Sequence, residues 1–224
     1  SQNLDPAAFE ISFQLLAEIA FGATARIDLC RAVKANRPGI EGQLLAVKRL
    51  HPHVAEDPGF ANQFLDEVWM TAALKSPNVV EVRGWGTDEQ GAYLAVELVE
   101  GVALSRLMKT VFETHEVFNE RMVVFIGSRL CRGLQAAHAL RAPNGELLNL
   151  VHRDLTPANV LLGFNGDVKI ADFGLAKAKQ RLTKTLTGMR EGNGPVVELL
   201  ETYERGRATA PAARRPRTRE VAKA

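Results

Sequence analysis

The chain has 224 residues, of which 46% are hydrophobic and 24% charged, a composition that excludes a wholly disordered, collagen-like or coiled-coil protein. No apolar run approaches the roughly 20 residues that span a bilayer, Ser1–Asp5 does not resemble a cationic, apolar leader, and only two cysteines are present. We therefore expect a soluble, cytoplasmic protein with no membrane partner and no disulfide framework.

The net charge of +2 is unevenly distributed. Residues 205–224 contain six Arg and one Lys but a single Glu, so this segment carries +6 and the rest of the chain −4. The segment is rich in Arg, Ala and Pro, which is typical of a disordered tail. A weakly acidic body does not favour a nucleic-acid partner.

The N-terminal half is predicted to be rich in strands. Short alternating or apolar runs bounded by turn residues indicate strands at Ile11–Leu15, Ile27–Val33, Leu44–Lys48, Val79–Gly84 and Ala92–Leu98. Turns are predicted at Asn36–Gly39 and Thr87–Gly91.

Two helices are predicted from apolar periodicity. Phe60, Phe64, Val68 and Ala72 recur every four residues, which predicts an amphipathic helix over Pro58–Leu74. A longer helix is predicted where apolar residues are spaced by 3, 4, 4 and 3, at Val123, Ile126, Leu130, Leu134 and Ala137. Short segments follow at Val151–Asp154, Val160–Leu162 and Val168–Ile170, with a hairpin turn predicted at Asn165-Gly166.

The most informative stretch begins at His152-Arg153-Asp154. Asn159 follows five residues after Asp154, and Asp172-Phe173-Gly174 begins after twelve further residues. Each triplet alone is weak evidence, but their order and spacing match the signature set of protein kinases. The sequence resembles the eukaryotic-like serine/threonine kinases, particularly the bacterial ones.

This resemblance implies a role for each polar residue. Phosphoryl transfer needs a group that orients the attacking hydroxyl and accepts its proton, and Asp154 has that position. Asn159 and Asp172 offer hard oxygen ligands, which favour Mg²⁺ over zinc. The cofactors implied are therefore ATP and Mg²⁺.

The resemblance also implies a phosphate-binding lysine. Lys48 ends the apolar strand Ala46-Val47-Lys48, in the position of the family's strand lysine. Its expected partner is a helical glutamate about twenty residues later, and Glu67 fits better than its neighbour Asp66.

The nucleotide-binding elements match less closely. The family's Gly-x-Gly-x-x-Gly loop falls on Ala20, Gly22 and Ala25, so only the central glycine is present. Similarity to the hinge places Val96 beside the base. The remaining predicted nucleotide contacts are the backbones of Glu97 and Val99 and the side chains of Ile27, Ala46 and Leu161.

Three departures bear on activity. Thr156 stands where many relatives have a lysine that contacts phosphate, so one positive charge is missing. No Ala-Pro-Glu follows Asp172, although the family has one. The long helix would also lose its usual neighbours, so we expect a partner, a second copy or residues 196–204 to cover its apolar face. The C-terminus fits a truncated or frameshifted gene as well as an evolved basic tail.

The fold class implied is α+β: a protein-kinase-like bilobal fold with a β-rich N-lobe and an incomplete helical C-lobe. Residues 1–100 correspond to the N-lobe with the nucleotide-binding loop and the start of the hinge. Residues 101–190 correspond to a partial C-lobe with the catalytic loop and the Asp-Phe-Gly triplet. Residues 191–224 form a divergent basic tail.

The function implied is transfer of the γ-phosphoryl group of Mg-ATP to a protein serine or threonine; the protein substrate is not identified. The alternative is a catalytically impaired, kinase-derived module that binds nucleotide or a partner. A small-molecule phosphotransferase of related fold is a third reading, which the His-Arg-Asp and Asp-Phe-Gly triplets disfavour.

Overall fold

The computed structural model describes residues 9–22, 25–51, 68, 71–142 and 144–173. Its N-terminal region contains a five-stranded antiparallel sheet in the order β1-β2-β3-β5-β4. The strands are β1 (Ile11–Phe21), β2 (Ala25–Ala35), β3 (Leu44–Leu50), β4 (Val82–Asp88) and β5 (Gly91–Glu97). All five predicted strands are present, although β1 is longer than predicted and β4 begins three residues later.

One face of this sheet packs on a helical segment. Leu50, Leu94 and Val82 are buried together with Val68 and Ala72, which belong to the predicted helix Pro58–Leu74. Val68 and residues 71–73 are helical, and residues 58–67, 69 and 70 lie outside the described part of the chain. Val68 and Ala72, four positions apart, lie on the helix face that packs on the sheet, as the apolar periodicity of this segment predicts.

The other face of the sheet buries a charged cluster beneath aromatic rings. Arg49 donates two hydrogen bonds to Asp88, at 2.7 and 2.6 Å, and lies 3.7 Å from a carboxylate oxygen of Asp28. Its guanidinium also lies over the rings of Phe13 and Tyr93. The hydrogen bonds from Arg49 hold the pKa of Asp88 below its ordinary value.

The C-terminal region combines a three-stranded sheet with helices. Its sheet has the order β6 (Gly101–Ala103), β7 (Val160–Gly163) and β8 (Val168–Ile170), all antiparallel. Two helices precede β7, namely α1 (Leu104–Glu113) and α2 (Glu120–His138). The predicted turn at Asn165-Gly166 joins β7 to β8, and Gly166 has φ of +88°, a conformation that favours glycine.

Helix α2 is the predicted long helix, and most of its periodic residues enter the core. Ile126 and Ala137 are buried, while Leu130 and Leu134 pack against the same clusters from partly buried positions. Val123 is 53% exposed, beside the exposed Met122, Val124 and Phe125. The predicted covering partner therefore concerns only the N-terminal end of α2, and it stays a prediction.

Helix α1 and strand β6 were not predicted. Leu104, Leu107, Met108 and Val111 have the spacing of a helical stripe, so the signal for α1 was present in the sequence. None of the residues of α1 is fully buried. Strand β6 begins at Gly101, where a Cβ atom would collide with the carbonyl group of Leu162 on β7.

The two regions are joined by backbone bonds beyond the chain connection at residues 98–100. Val79 forms a parallel bridge with Ile170, and the N–H of Val80 donates to the carbonyl of Ile170 at 2.9 Å. This pairing explains the late start of β4, because Val79 and Val80 pair with β8 instead. No helix within the described residues is long and apolar enough to cross a membrane.

Candidate active site

Lys48 reaches from β3 of the first region to Asp172 in the second. Its Nζ atom lies 2.8 and 2.9 Å from the two carboxylate oxygens of Asp172. The two side chains are 13% and 27% exposed, so both are partly accessible to solvent. Glu67, the predicted partner of Lys48, lies outside the described residues, and that pairing stays a prediction.

Asp154 and Asn159 are brought together by the loop that precedes β7. The side-chain amide of Asn159 donates to the backbone carbonyl of Asp154 at 2.7 Å and lies 3.3 Å from its carboxylate. A 3-10 turn over Pro157–Asn159 shapes this loop, and Asn159 is buried. Thr156, which starts the turn, is exposed and makes no capping bond with its side chain.

Backbone bonds fix this loop to the segment that carries Asp172. The N–H of Ala171 donates to the carbonyl of Asn159 at 2.9 Å. The Nε2 atom of His152 lies 2.8 Å from the carbonyl of Ala171, and the His152 ring meets the Phe173 ring edge-on at 4.6 Å. Asp154, Asn159 and Asp172 therefore belong to one connected site.

Two residues of this site have an unusual backbone conformation. Arg153 has φ of +64° and Asp172 has φ of +57°, in the left-handed region that residues other than glycine rarely adopt. Such conformations persist where surrounding contacts hold them, and they are frequent at functional sites. Arg153 directly precedes the predicted catalytic Asp154, and Asp172 is itself a predicted metal ligand.

The donor chemistry of the site fits magnesium. Because the amide nitrogen of Asn159 bonds to Asp154, its amide oxygen is the atom that could ligate a cation. The Asp172 carboxylate supplies a second hard oxygen, and Mg²⁺ commonly takes one or two protein ligands together with phosphate and water. Within the described residues, no cluster of three or more His, Cys, Asp or Glu side chains could hold a metal ion by itself.

The predicted nucleotide-binding loop lies between β1 and β2. The N–H of Gly22 donates to the carbonyl of Ala25 at 2.9 Å, and the Gly22 carbonyl lies 2.8 Å from Nε2 of His51. Ala20 is half-buried on β1, opposite Ile27. Ala25 is buried in the core with Leu50, so only its backbone faces the loop.

Ile27, Ala46 and Val96, predicted to lie around the base, share one face of the N-lobe sheet. Ile27 pairs with Lys48 across β2 and β3, and Ala46 pairs with Val96 across β3 and β5, so their side chains lie on the face that carries Lys48. All of these residues are half-buried, as are Val99 and, from the other lobe, Leu161 on β7. The N–H of Glu97 donates to Glu81, which leaves the Glu97 carbonyl as the backbone group that could meet a base.

Comparison with known proteins identifies the family. The protein kinase domain profile matches residues 14–194. The chain belongs to the protein kinase family. It is 33% identical to the tyrosine-protein kinase MasK of Myxococcus xanthus over 180 residues, which cover 80% of this chain and 27% of MasK.

Serine/threonine kinases are also among the similar proteins, which confirms the predicted resemblance to bacterial kinases of that class. The chain is 34% identical to PknA of Mycobacterium tuberculosis over 161 residues, covering 70% of this chain and 35% of PknA. It is 32% identical to PknL of the same organism over 188 residues, covering 83% of this chain and 42% of PknL. The kinase chain thus spans less than half the length of these curated relatives.

The solved structures agree with the architecture. The crystal structure of the Mycobacterium tuberculosis PknI kinase domain matches with a TM-score of 0.59 at 27% identity, covering 75% of this chain and 61% of that chain. The predicted α+β, protein-kinase-like fold with a β-rich N-lobe is therefore confirmed. In this kinase the N-lobe sheet ends at Glu97, and the smaller sheet belongs to the C-lobe.

Two contacts at the site could not be found from motifs. Lys169 on β8 donates to the Glu97 carboxylate at 2.7 Å, and the Thr71 hydroxyl donates to the carbonyl of Phe173 at 3.2 Å. Both contacts join the N-lobe to the segment around Asp172, since Lys169 precedes this residue and Phe173 follows it. Lys169 gave a weak signal, as a cation inside an otherwise apolar strand, whereas Thr71 interrupts no pattern.

Proposed function

We propose that this kinase transfers the γ-phosphoryl group of Mg-ATP to a serine or threonine hydroxyl of a protein. The observation that carries the proposal is the convergence of Lys48 and Asp172 with the connected Asp154 and Asn159. The support is the Lys48–Asp172 pair, the Asn159–Asp154 contact and the backbone bond from Ala171 to Asn159 that links the two pairs. Phosphoryl transfer requires this combination of an acceptor base, metal ligands and phosphate-binding cation.

Each side chain has a separate task in this proposal. Lys48 neutralises phosphate oxygens, and the side-chain oxygens of Asn159 and Asp172 hold Mg²⁺, which offsets the charge of the phosphates when it is bound. Asp154 orients the acceptor hydroxyl and takes its proton while the new O–P bond forms and the bond from phosphorus to the ADP oxygen breaks. Hydrogen bonds within residues 152–172 connect the segments that carry Asp154, Asn159 and Asp172.

The test is incubation of the purified protein with γ-labelled ATP, Mg²⁺ and a generic basic protein substrate. Asp154→Ala and Lys48→Ala should each abolish labelling, whereas Glu89→Ala and Lys34→Ala, at exposed positions of the N-lobe, should leave it unchanged. Acid hydrolysis of the labelled substrate then identifies the acceptor. Phosphotyrosine would overturn the serine/threonine assignment, which matters because MasK is named a tyrosine kinase.

The second candidate is a nucleotide-binding module without transfer activity. It is favoured by Ala20 and Ala25 at two of the three glycine positions and by the exposed Thr156 where many relatives have a lysine. This candidate predicts stabilisation of the protein by ATP against thermal unfolding, with no labelling of substrate. Loss of both labelling and stabilisation would contradict both candidates.

A further inference from the structure

The carbonyl groups on both sides of Asp172 are held by side chains from other parts of the chain. His152 contacts the carbonyl of Ala171 at 2.8 Å, and the Thr71 hydroxyl donates to the carbonyl of Phe173 at 3.2 Å. Asp172 lies between them with φ of +57°. A left-handed conformation at an aspartate is maintained by its surroundings, so these two bonds bear on where its carboxylate points.

Thr71 is buried, at 8% exposure, in the helical segment that packs on the N-lobe sheet. The hydroxyl of Thr71 reaches a carbonyl 102 positions away, in the C-lobe. Phe173 is itself 3% exposed, so the bond is shielded from water, where its loss has the greatest effect.

We propose that Thr71 is a positioning residue for the metal site: its hydroxyl holds Asp172 in the orientation that directs the carboxylate toward Lys48 and Mg²⁺. This inference rests on the proposed function, because Asp172 is a metal ligand only in that proposal.

The substitutions that test this separate the hydroxyl from the shape of the side chain. Thr71→Val keeps the shape and removes the hydroxyl, Thr71→Ser keeps the hydroxyl, and Thr71→Ala removes both. If the hydroxyl matters, Val and Ala should behave alike and Ser should resemble the wild type. If Thr71 only fills space, Ala should be worse than Val. The Val side chain fits the existing volume, and thermal unfolding of each variant verifies that it is folded.

The first readout is ATP affinity by calorimetry, with saturating Mg²⁺ and with EDTA. Thr71→Val should lose about five- to tenfold of the affinity gained from Mg²⁺, the effect of one shielded hydrogen bond. Its affinity in EDTA should stay within about twofold of the wild type, because Lys48 and the hinge are unchanged. An unaltered Mg²⁺ dependence in Thr71→Val, or equal losses in Val and Ser, would overturn the proposal.

The second readout needs no nucleotide. Hydrogen exchange of the peptide containing Ile170 and Ala171, whose amides donate to Asn78 and Asn159, should be faster in Thr71→Val and Thr71→Ala than in Thr71→Ser and the wild type. Wild-type protein that fails to bind Mg-ATP would contradict the proposed function. The exchange rates would still show whether the Thr71 hydroxyl holds the segment around Asp172. Equal exchange in all four proteins would show that Thr71 does not hold this segment.

Discussion

Lys48 and Arg49 are adjacent on β3 but have different surroundings on the two faces of the sheet. Lys48 and Arg49 point to opposite faces of the sheet because successive side chains of a strand alternate. Lys48 bonds to Asp172, 124 positions away in the other lobe, and both side chains border the cleft. Arg49 is 8% exposed at its side chain and bonds to carboxylates of its own sheet beneath two aromatic rings.

The difference lies in how completely each cation is enclosed. Arg49 uses both terminal guanidinium nitrogens on one carboxylate, a bidentate geometry that lysine cannot reproduce. Lys48 is a single ammonium group with an accessible partner that belongs to another lobe, so a ligand in the cleft can reach both. We expect Arg49 to contribute mainly to the stability of the fold and Lys48 mainly to catalysis.

Removal of Arg49 should have the largest effect, and it should fall on stability. Arg49→Met leaves Asp28, which is 2% exposed, with Arg26 as its remaining cation, and it also removes the bonds to Asp88 and the contacts with two aromatic rings. We expect a loss of about 3 kcal/mol, the lower end of the cost of disrupting a buried ion pair. Urea denaturation measures this free energy of unfolding. Arg49→Lys keeps the charge but not the bidentate bond, so its free energy of unfolding should lie between those of the wild type and Arg49→Met. An Arg49→Met variant that is as stable as the wild type but catalytically impaired would contradict the assignment of Arg49 to stability.

Removal of Lys48 should affect catalysis instead. Lys48→Met is expected to lower kcat/KM for ATP by about a hundred- to a thousandfold, the usual effect of losing one group that stabilises transition-state charge. Its free energy of unfolding should change by no more than about 1 kcal/mol, because partly exposed ion pairs contribute little. Steady-state kinetics and urea denaturation on the same preparation check both. A destabilised variant would show that Lys48 is a structural cation like Arg49.

Removal of Lys169 should have a smaller effect than removal of Lys48. Lys169 joins the lobes through Glu97, a hinge residue, but is not one of the predicted catalytic residues. Lys169→Met breaks its bond to Glu97 and should raise the KM for ATP about three- to tenfold with kcat nearly unchanged, as expected for one hydrogen bond to a charged group. Glu97→Gln should have a similar effect, and the double variant should add little. Additive losses in the double variant would mean that the two side chains act separately.

The smallest effect concerns pH. Bonding to Arg49 holds the pKa of Asp88 below its ordinary value, so Asp88 stabilises the fold above about pH 4 and this contribution disappears as the pH falls through the lowered pKa. Asp88→Asn should therefore be less stable than wild type at pH 7, and the difference should shrink at a pH below about 4. Its 38% exposure keeps the difference small. Urea denaturation at both pH values measures it, and a constant gap would contradict the ion-pair explanation.

Much of the fold could be predicted because local patterns and burial agree. The alternation in β3 and the apolar stripe of α2 each identify an element and the face that it buries. The start of β4 was misplaced because Val79 and Val80 bond to β8 of the other lobe, a tertiary pairing that strand propensity does not contain.

The candidate site was predictable where its chemistry requires particular residue types at fixed spacing. Asp154, Asn159 and Asp172 were found because they lie in short motifs, and the structure places them in one connected site. Thr71 and Lys169 were missed because their partners lie 102 and 72 positions away. Thr71 interrupts no pattern, and the only signal of Lys169 is a cation inside an apolar strand. Arg49 was missed because in sequence it is simply a second cation after Lys48.

Gly101 has a mechanical consequence. Because a side chain there would strike Leu162, the chain is anchored on β7 as soon as it enters the C-lobe. The connection before it is held at both ends, because the N–H of Glu97 donates to the carbonyl of Glu81 in the N-lobe and the carbonyl of Glu100 accepts from the N–H of Phe164 in the C-lobe. A base that contacts Glu97 and Val99 would therefore meet a short backbone segment fixed by both lobes.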